Sequence, residues 1–479
     1  MKVRPKRAPE EEQQVSEPQE AGYDVVILGA GSGGYACALR ASQLGLRVAL
    51  VDAAELGGTC LHRGCIPTKA LLHAAEVADE ARQAARVGVQ TTFDGVDGPG
   101  LLAYQQSVVD RLYQGLQGLV AAAGVDWLPG RGHLVAADTV AVRGEQGTQL
   151  VRGRHVVIAT GSQVRTLDGV ALGARIVSSD QALRLERVPT RALVLGGGVI
   201  GVEFASIWSS LGAQVTIVEA LDSLLPAEDP AISKGLVRAL KKRGISVRTG
   251  ARVASAHEDD DAAHLVLEDG TTLDGDLLLV AVGRGPVTAD LGLAEAGVEL
   301  DEAGFVRTDE RLQTTAPGVY AVGDVVRGLQ LAHRGFRHGI VVAERIAGLD
   351  PAPVPEENIP RVTYCDPQVA SVGLTEPAAR EQFGDEIDTV EQSLAGNGKS
   401  QILGTSGMVK MVRRRGGPIV GVHLLGARMG EQIGEAQMLV NWEAYPQDVA
   451  PLVHAHPTQN ESLGEAALAL AGTPLHSHN

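Results

Sequence analysis

Residues 23–52 read YDVVILGAGSGGYACALRASQLGLRVALVD, and this stretch decides the fold. An apolar strand runs into a glycine-rich turn, a helix-like segment follows, and a second strand ends in Asp52. Gly29 makes the tight turn, Gly31 lets the backbone approach a pyrophosphate, and Gly34 allows close helix–strand packing. The helix N-terminus then offers free N–H groups to phosphates. The stretch predicts a dinucleotide-binding unit in which Asp52 binds a ribose hydroxyl.

The same pattern recurs at residues 191–219, RALVLGGGVIGVEFASIWSSLGAQVTIVE. Its glycines are Gly196, Gly198 and Gly201, and its acid is Glu219. In both copies the acid stands at the same distance along the chain from the first glycine. A single glycine fingerprint is weak evidence, but two copies in the same strand–turn–helix–strand context predict that one chain binds two dinucleotides.

The residues around the two copies indicate which dinucleotides these are. Glu219 is followed by alanine and leucine, which suits a free ribose 2′-hydroxyl, whereas a 2′-phosphate usually requires a nearby arginine. The second site is therefore expected to prefer NAD to NADP. The first copy leads directly into GGTCLHRGCIPTK (57–69), where Cys60 and Cys65 would lie near the reactive ring of a flavin.

Length and composition exclude several classes of protein. The chain has 479 residues, 44% hydrophobic and 21% charged, which predicts a globular protein of more than one domain. Its net charge of −16 argues against a nucleic-acid partner. We find no apolar run long enough to span a membrane, and residues 1–22 read as a disordered charged tail, so the expected location is the cytoplasm. Four cysteines are too few for a secreted disulfide framework.

Further elements are predicted from periodicity and turn residues. The predicted segments are a helix over 98–124, a buried strand over 155–162, a hairpin and a following strand over 263–283, a strand over 315–324, and antiparallel strands around the Gly-Gly-Pro turn at 416–418.

Several short segments together resemble the pyridine nucleotide–disulfide oxidoreductases. Besides the two fingerprints and the cysteine segment, they are ATGS (159–162), AVGD (321–324) and HAHPTQNE (454–461). The resemblance extends from residue 23 to the C-terminus, and its most specific parts are the cysteine segment and the histidine segment.

The resemblance implies an α/β fold with two Rossmann-like domains, for FAD and NAD, and a C-terminal α+β dimerisation domain. The expected boundaries are 1–22 for the tail, 23–170 for the FAD-binding domain with the cysteine pair, 171–290 for the NAD-binding domain, 291–357 for the second segment of the FAD-binding and central domain, and 358–479 for the dimerisation domain.

The resemblance also implies roles for the cysteine segment. Cys60 and Cys65 would form a redox-active disulfide, with Cys60 as the thiol that meets substrate and Cys65 as the charge-transfer thiol that passes electrons to tightly bound FAD. Lys69, four residues beyond Cys65 on a helix that Pro67 would begin, would direct its charge at the flavin and pair with Glu203.

The histidine segment supplies the other half of the implied site. His456 would be the general base for a dithiol and Glu461 its orienting carboxylate, with His454 the weaker candidate. In the family the base reaches the disulfide of the other subunit, which implies a homodimer. The implied reaction oxidises protein-bound dihydrolipoamide and reduces NAD⁺. The implied partner is a lipoyl-bearing acyltransferase of 2-oxo acid dehydrogenase complexes, or a lipoyl carrier protein.

Other residues are assigned to the cofactors by resemblance alone. For FAD they are Gly29, Gly31, Gly34, Asp52, Thr59, Lys69, Gly132, Thr160, Gly161, Ser162, Asp324, Ala332 and His333. For NAD they are Gly196, Gly198, Gly201, Glu203, Glu219 and Gly283. Three departures from the family pattern stand out: Asp52 replaces the more usual glutamate, HRGFRHG (333–339) is unusually basic, and VGRGP (282–286) lacks the second arginine often seen as VGRRP.

Several other interpretations were weighed. A zinc site at Cys60 and Cys65 would need two more ligands, and Cys37 and Cys365 are expected to be packed thiols instead. Glutathione reductase would require arginines after Glu219, and mercuric or large thioredoxin reductases would require further C-terminal cysteines. Mycothione reductase has a similar cysteine segment, although its NADP preference argues against it. A docking role in a larger assembly remains compatible with catalysis.

Overall fold

The computed structural model describes residues 15–16 and 22–476 and divides the chain into two compact units. The first unit comprises Met1–Cys60, Leu112–Gln163 and Gly285–Val354. The second comprises Leu61–Arg111, Val164–Arg284 and Pro355–Asn479. The tail predicted over 1–22 lies outside the described residues except for positions 15, 16 and 22. The predicted domain boundaries stay predictions.

The helices are α1 (Ser32–Gln43), α2 (Gly58–Arg63), α3 (Cys65–Gln83), α4 (Gly98–Ala122), α5 (Ser179–Ala182), α6 (Val199–Ser210), α7 (Pro230–Lys242), α8 (Ala332–Ile346), α9 (Glu376–Phe383), α10 (Gly398–Leu403), α11 (Met429–Asn441), α12 (Pro446–Val449) and α13 (Glu461–Leu470).

The strands are β1 (Val15–Ser16), β2 (Tyr23–Leu28), β3 (Val48–Asp52), β4 (Asp126–Pro129), β5 (Arg131–Ala136), β6 (Thr139–Gly144), β7 (Gly147–Ile158), β8 (Ser162–Val164), β9 (Ile176–Ser178), β10 (Arg191–Leu195), β11 (Gln214–Val218), β12 (Ser246–Arg248), β13 (Val253–Glu258), β14 (Ala263–Leu267), β15 (Thr272–Gly275), β16 (Leu277–Val280), β17 (Arg284–Pro286), β18 (Val319–Ala321), β19 (Arg361–Thr363), β20 (Gln368–Gly373), β21 (Ile387–Ser393), β22 (Met408–Arg414) and β23 (Ile419–Gly426).

The first unit is built on a sheet of strand order β4-β3-β2-β7-β6-β5, with β1 and β18 also pairing with β7. Strand β2, which leads into the first glycine turn, lies between β3 and β7 and runs parallel to both. This is the arrangement of a doubly wound sheet, in which ligands bind beyond the carboxyl end of the central strand. Val26 and Val156, on paired strands, are fully buried in the core beneath it.

Strand β7 is longer and ends earlier than the sequence predicts. The prediction placed a buried strand over 155–162, whereas β7 begins at residue 147 and ends at Ile158. Its first half alternates between exposed and partly buried positions, because there it is the antiparallel partner of β6. Only its last residues are buried on both faces in parallel pairing, and a search for continuous apolar residues detects only that part.

The second unit repeats the doubly wound arrangement and adds two antiparallel sheets. Its parallel sheet has the order β12-β11-β10-β16-β9, with the second glycine-leading strand, β10, in the middle. The predicted hairpin is confirmed as the antiparallel pair β14–β15. The predicted strands on either side of the Gly-Gly-Pro turn are confirmed as β22 and β23 of the sheet β19-β20-β23-β22-β21.

A buried ionic cluster joins α7 to the C-terminal sheet within the second unit. Lys410 on β22 is 4% exposed, and its Nζ lies 3.0 Å from Oδ1 of the fully buried Asp229 and 2.7 Å from Oε2 of Glu376. Asp229 also accepts hydrogen bonds from the backbone N–H groups of Ala231 and Glu376. Burial opposes the charge of Lys410, but its carboxylate neighbours outweigh that cost and raise its pKa.

We expect a Lys410→Met variant to lose about 3–5 kcal/mol of unfolding free energy, because the substitution leaves Asp229 buried without its countercharge. Urea unfolding followed by circular dichroism at fixed protein concentration measures the loss. Lys242→Met, at the end of α7, removes an exposed lysine without an ion pair in the described part of the chain, and is expected to cost less than about 1 kcal/mol. Equal stability of the two variants would show that the cluster does not hold the sheet.

In the part of the chain covered by residues 15–16 and 22–476, no helix has the length and apolar character needed to cross a membrane.

Candidate active site

The first glycine turn has no room for side chains at two of its positions. Gly29 has a φ of 101°, and a Cβ there would lie 2.3 Å from the carbonyl oxygen of Ala159. A Cβ at Gly34 would lie 1.8 Å from the carbonyl oxygen of Gly29, so α1 could not approach β2. Gly31 precedes α1 and provides no side-chain cap, which leaves the first N–H groups of the helix available to an anion.

The second turn is built in the same way. Gly196 has a φ of 112°, and a Cβ there would lie 2.3 Å from the carbonyl oxygen of Ala281. A Cβ at Gly201 would lie 1.9 Å from the carbonyl oxygen of Gly196. Gly198 precedes α6, and a Cβ at this position would meet open space. Both turns therefore fit a pyrophosphate seated on a helix N-terminus.

The two acids also make equivalent hydrogen bonds. Asp52 accepts from the backbone N–H of Ala30 at 2.7 Å and from that of Ala54 at 2.9 Å. Glu219 accepts from the N–H of Gly197 at 2.6 Å and from that of Leu221 at 2.8 Å. Each carboxylate thus ties its glycine turn to the end of the next strand. The shorter side chain of Asp52 makes the same pair of bonds, so this departure leaves the turn intact.

A second backbone segment closes over the first glycine turn. Gly58 has a φ of 59°, and a Cβ there would lie 2.6 Å from the Cα of Gly31. Any side chain at Gly58 would fill the space above the turn, and Thr59 follows it in α2. This narrow, side-chain-free cradle fits the pyrophosphate of FAD, and the double glycine before Cys60 is its sequence signal.

The basic HRGFRHG segment holds the turn that carries Asp324. Ser162 Oγ donates to Asp324 Oδ2 at 2.7 Å. Arg334 is 2% exposed, and its guanidinium donates to the carbonyl oxygen of Gly323 at 3.1 Å. His338 is also 2% exposed, and burial together with the neighbouring Arg334 charge lowers its pKa to about 3. These basic residues are therefore internal supports, which explains the unusual composition of this segment.

The remaining predicted cofactor residues occupy turns, strands and a helix start. Thr160 Oγ1 donates to the carbonyl oxygen of Val287 at 2.7 Å. Gly132 lies in β5, where a Cβ would come within 2.5 Å of the Leu28 side chain. The others lie at positive-φ turns or at the start of α8: Gly161, Gly283, Ala332 and His333.

The two cysteines lie on consecutive helices. Cys60 is in α2, and Cys65 is the first residue of α3; both are half-buried. The expectation that Pro67 begins the helix is wrong by two residues. The first N–H groups of a helix have no intrahelical partner, so proline is tolerated beyond the first position of the opening turn. As a result Cys65 lies in that opening turn, where the helix dipole stabilises a thiolate.

The other two cysteines are packed thiols, as the sequence predicts. Cys37 is fully buried and Cys365 is 1% exposed. Burial raises the pKa of Cys37 to about 12 and also raises that of Cys365. Thiolate chemistry is therefore confined to Cys60 and Cys65.

Lys69 is paired with Glu203, as predicted. Its Nζ lies 2.9 and 2.8 Å from the two carboxylate oxygens, and Glu203 is 3% exposed. Burial would lower the pKa of Lys69, but the Glu203 carboxylate outweighs this effect and raises it. The Tyr364 ring lies 4.8 Å from the ammonium group, and the Tyr364 N–H donates to Glu203 at 2.9 Å. The assignment of Glu203 to NAD binding stays a prediction.

His456 and Glu461 form a hydrogen-bonded pair. His456 Nδ1 lies 2.8 Å from Glu461 Oε1, and the imidazole side chain is 75% exposed. The Thr458 N–H donates to Glu461 Oε2 at 2.8 Å. Burial opposes the Glu461 charge, but these two contacts outweigh it and lower the pKa of the carboxyl group. With Nδ1 held, Nε2 of His456 is left for a substrate proton. The His454 side chain is only 11% exposed and is bonded to Glu435.

The structure adds Tyr364 and Glu435 to this region, and neither was predicted. Tyr364 contacts Lys69 and Glu203 from a distant part of the chain, and Glu435 lies on α11 without a recognisable local pattern. Within residues 15–16 and 22–476, no cluster of three or more histidine, cysteine or acidic residues is placed to hold a metal ion.

Comparison with known proteins places this geometry in a class. Residues 23–339 match the family described as pyridine nucleotide-disulphide oxidoreductase, and residues 359–467 match the dimerisation domain of that family. The chain belongs to the pyridine nucleotide-disulphide oxidoreductases. The family confirms the predicted α/β fold and the use of FAD and NAD.

Individual relatives show which members of this class the chain resembles. The chain is 39% identical over 472 residues to a dihydrolipoyl dehydrogenase of Bacillus subtilis, a match that covers 95% of this chain and 99% of that one. It is 38% identical to a mitochondrial dihydrolipoyl dehydrogenase of Arabidopsis thaliana, with 95% and 91% covered. The crystal structure of LpdA from Mycobacterium tuberculosis superposes with a TM-score of 0.88 at 26% identity, covering 93% of this chain and 99% of that one.

Proposed function

We propose that this chain is an FAD-dependent dihydrolipoyl dehydrogenase that oxidises protein-bound dihydrolipoamide to lipoamide and reduces NAD⁺. The observation that carries the proposal is the His456–Glu461 pair, an exposed imidazole oriented by a mostly buried carboxylate. A dithiol substrate needs such a base, because its thiolate is the attacking form. The family match and the dihydrolipoyl dehydrogenase relatives support the same assignment.

The thiol chemistry proceeds by two exchanges. His456 takes a proton from one substrate thiol, and the resulting thiolate attacks Cys60 Sγ. The Cys60–Cys65 bond breaks, and Cys65 leaves as a thiolate that the N-terminus of α3 stabilises. The second substrate thiol then attacks the substrate sulfur of the mixed disulfide, which releases lipoamide. Cys60 leaves as a thiolate and takes up the proton held by His456, which is then free to accept the proton of the second substrate thiol.

Residues of both glycine turns would hold the cofactors. Gly29, Gly31 and Gly58 would seat the pyrophosphate of FAD, and Gly196 to Gly201 that of NAD. When bound, FAD carries the electron pair from the dithiol to the nicotinamide. Lys69 would supply a fixed positive charge at the flavin, since Glu203 keeps it protonated.

We propose that the chain acts as a homodimer, as its match to a dimerisation domain supports. His456 and Glu461 lie inside the segment that matches the dimerisation domain. Beside them, Val453 is 98% exposed and Leu452 is 56% exposed, an apolar surface that a second copy would cover. We propose that His456 serves the disulfide of the partner subunit. We further propose that the substrate is presented by a lipoyl-bearing acyltransferase of 2-oxo acid dehydrogenase complexes, or by a lipoyl carrier protein.

The direct test measures NADH formation from dihydrolipoamide, with NADP⁺ as the parallel acceptor. We expect rapid turnover with NAD⁺ and at least about tenfold lower kcat/KM with NADP⁺, because Glu219 would repel a 2′-phosphate. If dihydrolipoamide gives no turnover while NADPH reduces a glutathione or mycothiol disulfide, the chain belongs to another branch of the class. The proposed substrate and the assigned role of Glu219 would both be overturned.

A further inference from the structure

One carboxylate contacts both ends of the loop that carries the catalytic base. This loop, residues 454–461, begins at His454 and ends at Glu461. Glu435 Oε1 lies 2.9 Å from Nε2 of His454, and Glu435 Oε2 accepts a hydrogen bond from the side-chain amide of Asn460. Asn460 directly precedes Glu461 and the start of α13. A single residue of α11 is thereby bonded to a residue two positions before His456 and to the residue just before Glu461.

The fit around this carboxylate is tight. The side chain of His454 is 11% exposed and that of Glu435 is 23% exposed. A Cβ at Gly464 would lie 2.6 Å from Nδ1 of His454, so glycine is required there for α13 to approach the imidazole. His456, by contrast, is 75% exposed and has little packing of its own to fix it.

The middle of the loop has separate supports. Asn397 Nδ2 donates to the carbonyl oxygen of Thr458 at 2.9 Å, and Ser400 Oγ donates to Gln459 Oε1 at 2.9 Å. Thr458 itself also links the two ends, because its Oγ1 donates to the carbonyl oxygen of Ala455 at 2.7 Å and accepts from the Glu461 N–H at 3.3 Å. Because the His456–Glu461 bond crosses the loop, its 2.8 Å length depends on how the ends are held.

We propose that Glu435 is a positioning residue for the dithiol reaction: it holds His454 and Asn460 together, so that Glu461 keeps the imidazole of His456 oriented toward the substrate thiol. The inference deepens the proposed function and rests on it for its kinetic consequence. Glu435 does not itself touch the substrate. Its effect should therefore fall on turnover more than on substrate binding, since a displacement of about 1 Å in a catalytic group can cost about 10²-fold in rate.

The test compares three variants in the full-length, FAD-loaded protein. Glu435→Ala removes both acceptors and should lower kcat for dihydrolipoamide by about 10- to 100-fold, with KM changed less than about threefold. Glu435→Gln should recover most of the activity, because its amide can accept from His454 and donate to Asn460 once the Asn460 amide is turned. Glu465→Ala is the matched control, since it removes another His–Glu pair on α13, with His476 at 2.9 Å, and Glu465 makes no hydrogen bond to residues 454–461 in the described part of the chain.

Crystal structures of Glu435→Ala and Glu465→Ala give a readout that does not depend on activity. We expect the loop to shift and the His456–Glu461 bond to lengthen or break in the first variant only. If Glu435→Ala does not fold, Asn460→Ala removes one of the two donors and should give a smaller effect in the same direction.

Four outcomes are decisive. Wild-type kcat and an unmoved loop in Glu435→Ala would overturn the inference, as would an equal loss of kcat in Glu465→Ala. A large loss of kcat that Glu435→Gln does not recover would contradict the positioning role and show that Glu435 has only a general structural role. If the wild-type enzyme does not oxidise dihydrolipoamide, the proposed function falls, and the loop geometry in the crystal structures decides the positioning role by itself.

Discussion

A Cys60→Ser variant should oxidise dihydrolipoamide at least about 10³-fold more slowly than the wild-type enzyme, because serine cannot form the mixed disulfide. Without Cys60, Cys65 has no neighbouring cysteine with which to form the disulfide that a substrate thiolate attacks. Cys37 and Cys365 are buried, and burial raises the pKa of both. Steady-state NADH formation from dihydrolipoamide measures the loss. Reduction of ferricyanide by NADH, which needs no thiol, should persist.

Cys365→Ala provides the matched control for this loss. It removes a buried thiol and should leave kcat within about twofold, at the expense of some stability. Retention of dihydrolipoamide oxidation by Cys60→Ser would show that the electron pair enters by another route. Loss of ferricyanide reduction as well would point to a failure of the FAD site and not of the disulfide.

A His456→Ala variant should lose about 10²- to 10⁴-fold in kcat, the contribution typical of a positioned general base. The reason is geometric: His456 is the exposed member of its hydrogen-bonded pair, whereas His454 has its Nε2 directed to Glu435. Stopped-flow reduction of the enzyme by dihydrolipoamide would isolate the thiol step from the NAD⁺ step. We expect the whole decrease in rate to appear in the thiol step.

His476→Ala tests whether this effect is particular to the loop. His476 is 72% exposed and lies 2.9 Å from Glu465, a pairing closely similar to that of His456. We expect wild-type kcat for this variant. A larger fall in His454→Ala than in His456→Ala would reassign the base to the first histidine of the loop.

Local chemistry made both glycine turns predictable from the sequence. At Gly34 and Gly201 a Cβ would meet the carbonyl oxygen of the first glycine of the same turn, five residues earlier. At Gly29 and Gly196 it would meet a carbonyl oxygen just beyond the end of the adjacent strand. Because no side chain fits at these positions, each of them is glycine, and the glycines recur at the same spacing in both copies of the pattern. The position of Glu461 five residues after His456 is likewise a local signal, and the structure joins the two side chains directly.

What the sequence did not show depends on contacts between distant segments. Tyr364 lies 4.8 Å from the Lys69 ammonium group but almost 300 positions away along the chain. Glu435 has its role only because α11 packs beside the loop that ends at Asn460. The sequence shows only that HRGFRHG is unusually basic, and it is tertiary packing that turns Arg334 inward onto backbone carbonyls.

The pairing of Lys69 with Glu203 separates two tasks that an enzyme often assigns to one residue: supplying a positive charge and exchanging protons. The Glu203 carboxylate raises the pKa of Lys69 and so favours its charged, ammonium form. Proton exchange during turnover is left to His456 and the thiols. The step that moves protons is thereby kept apart from the fixed charge that supports the cofactor.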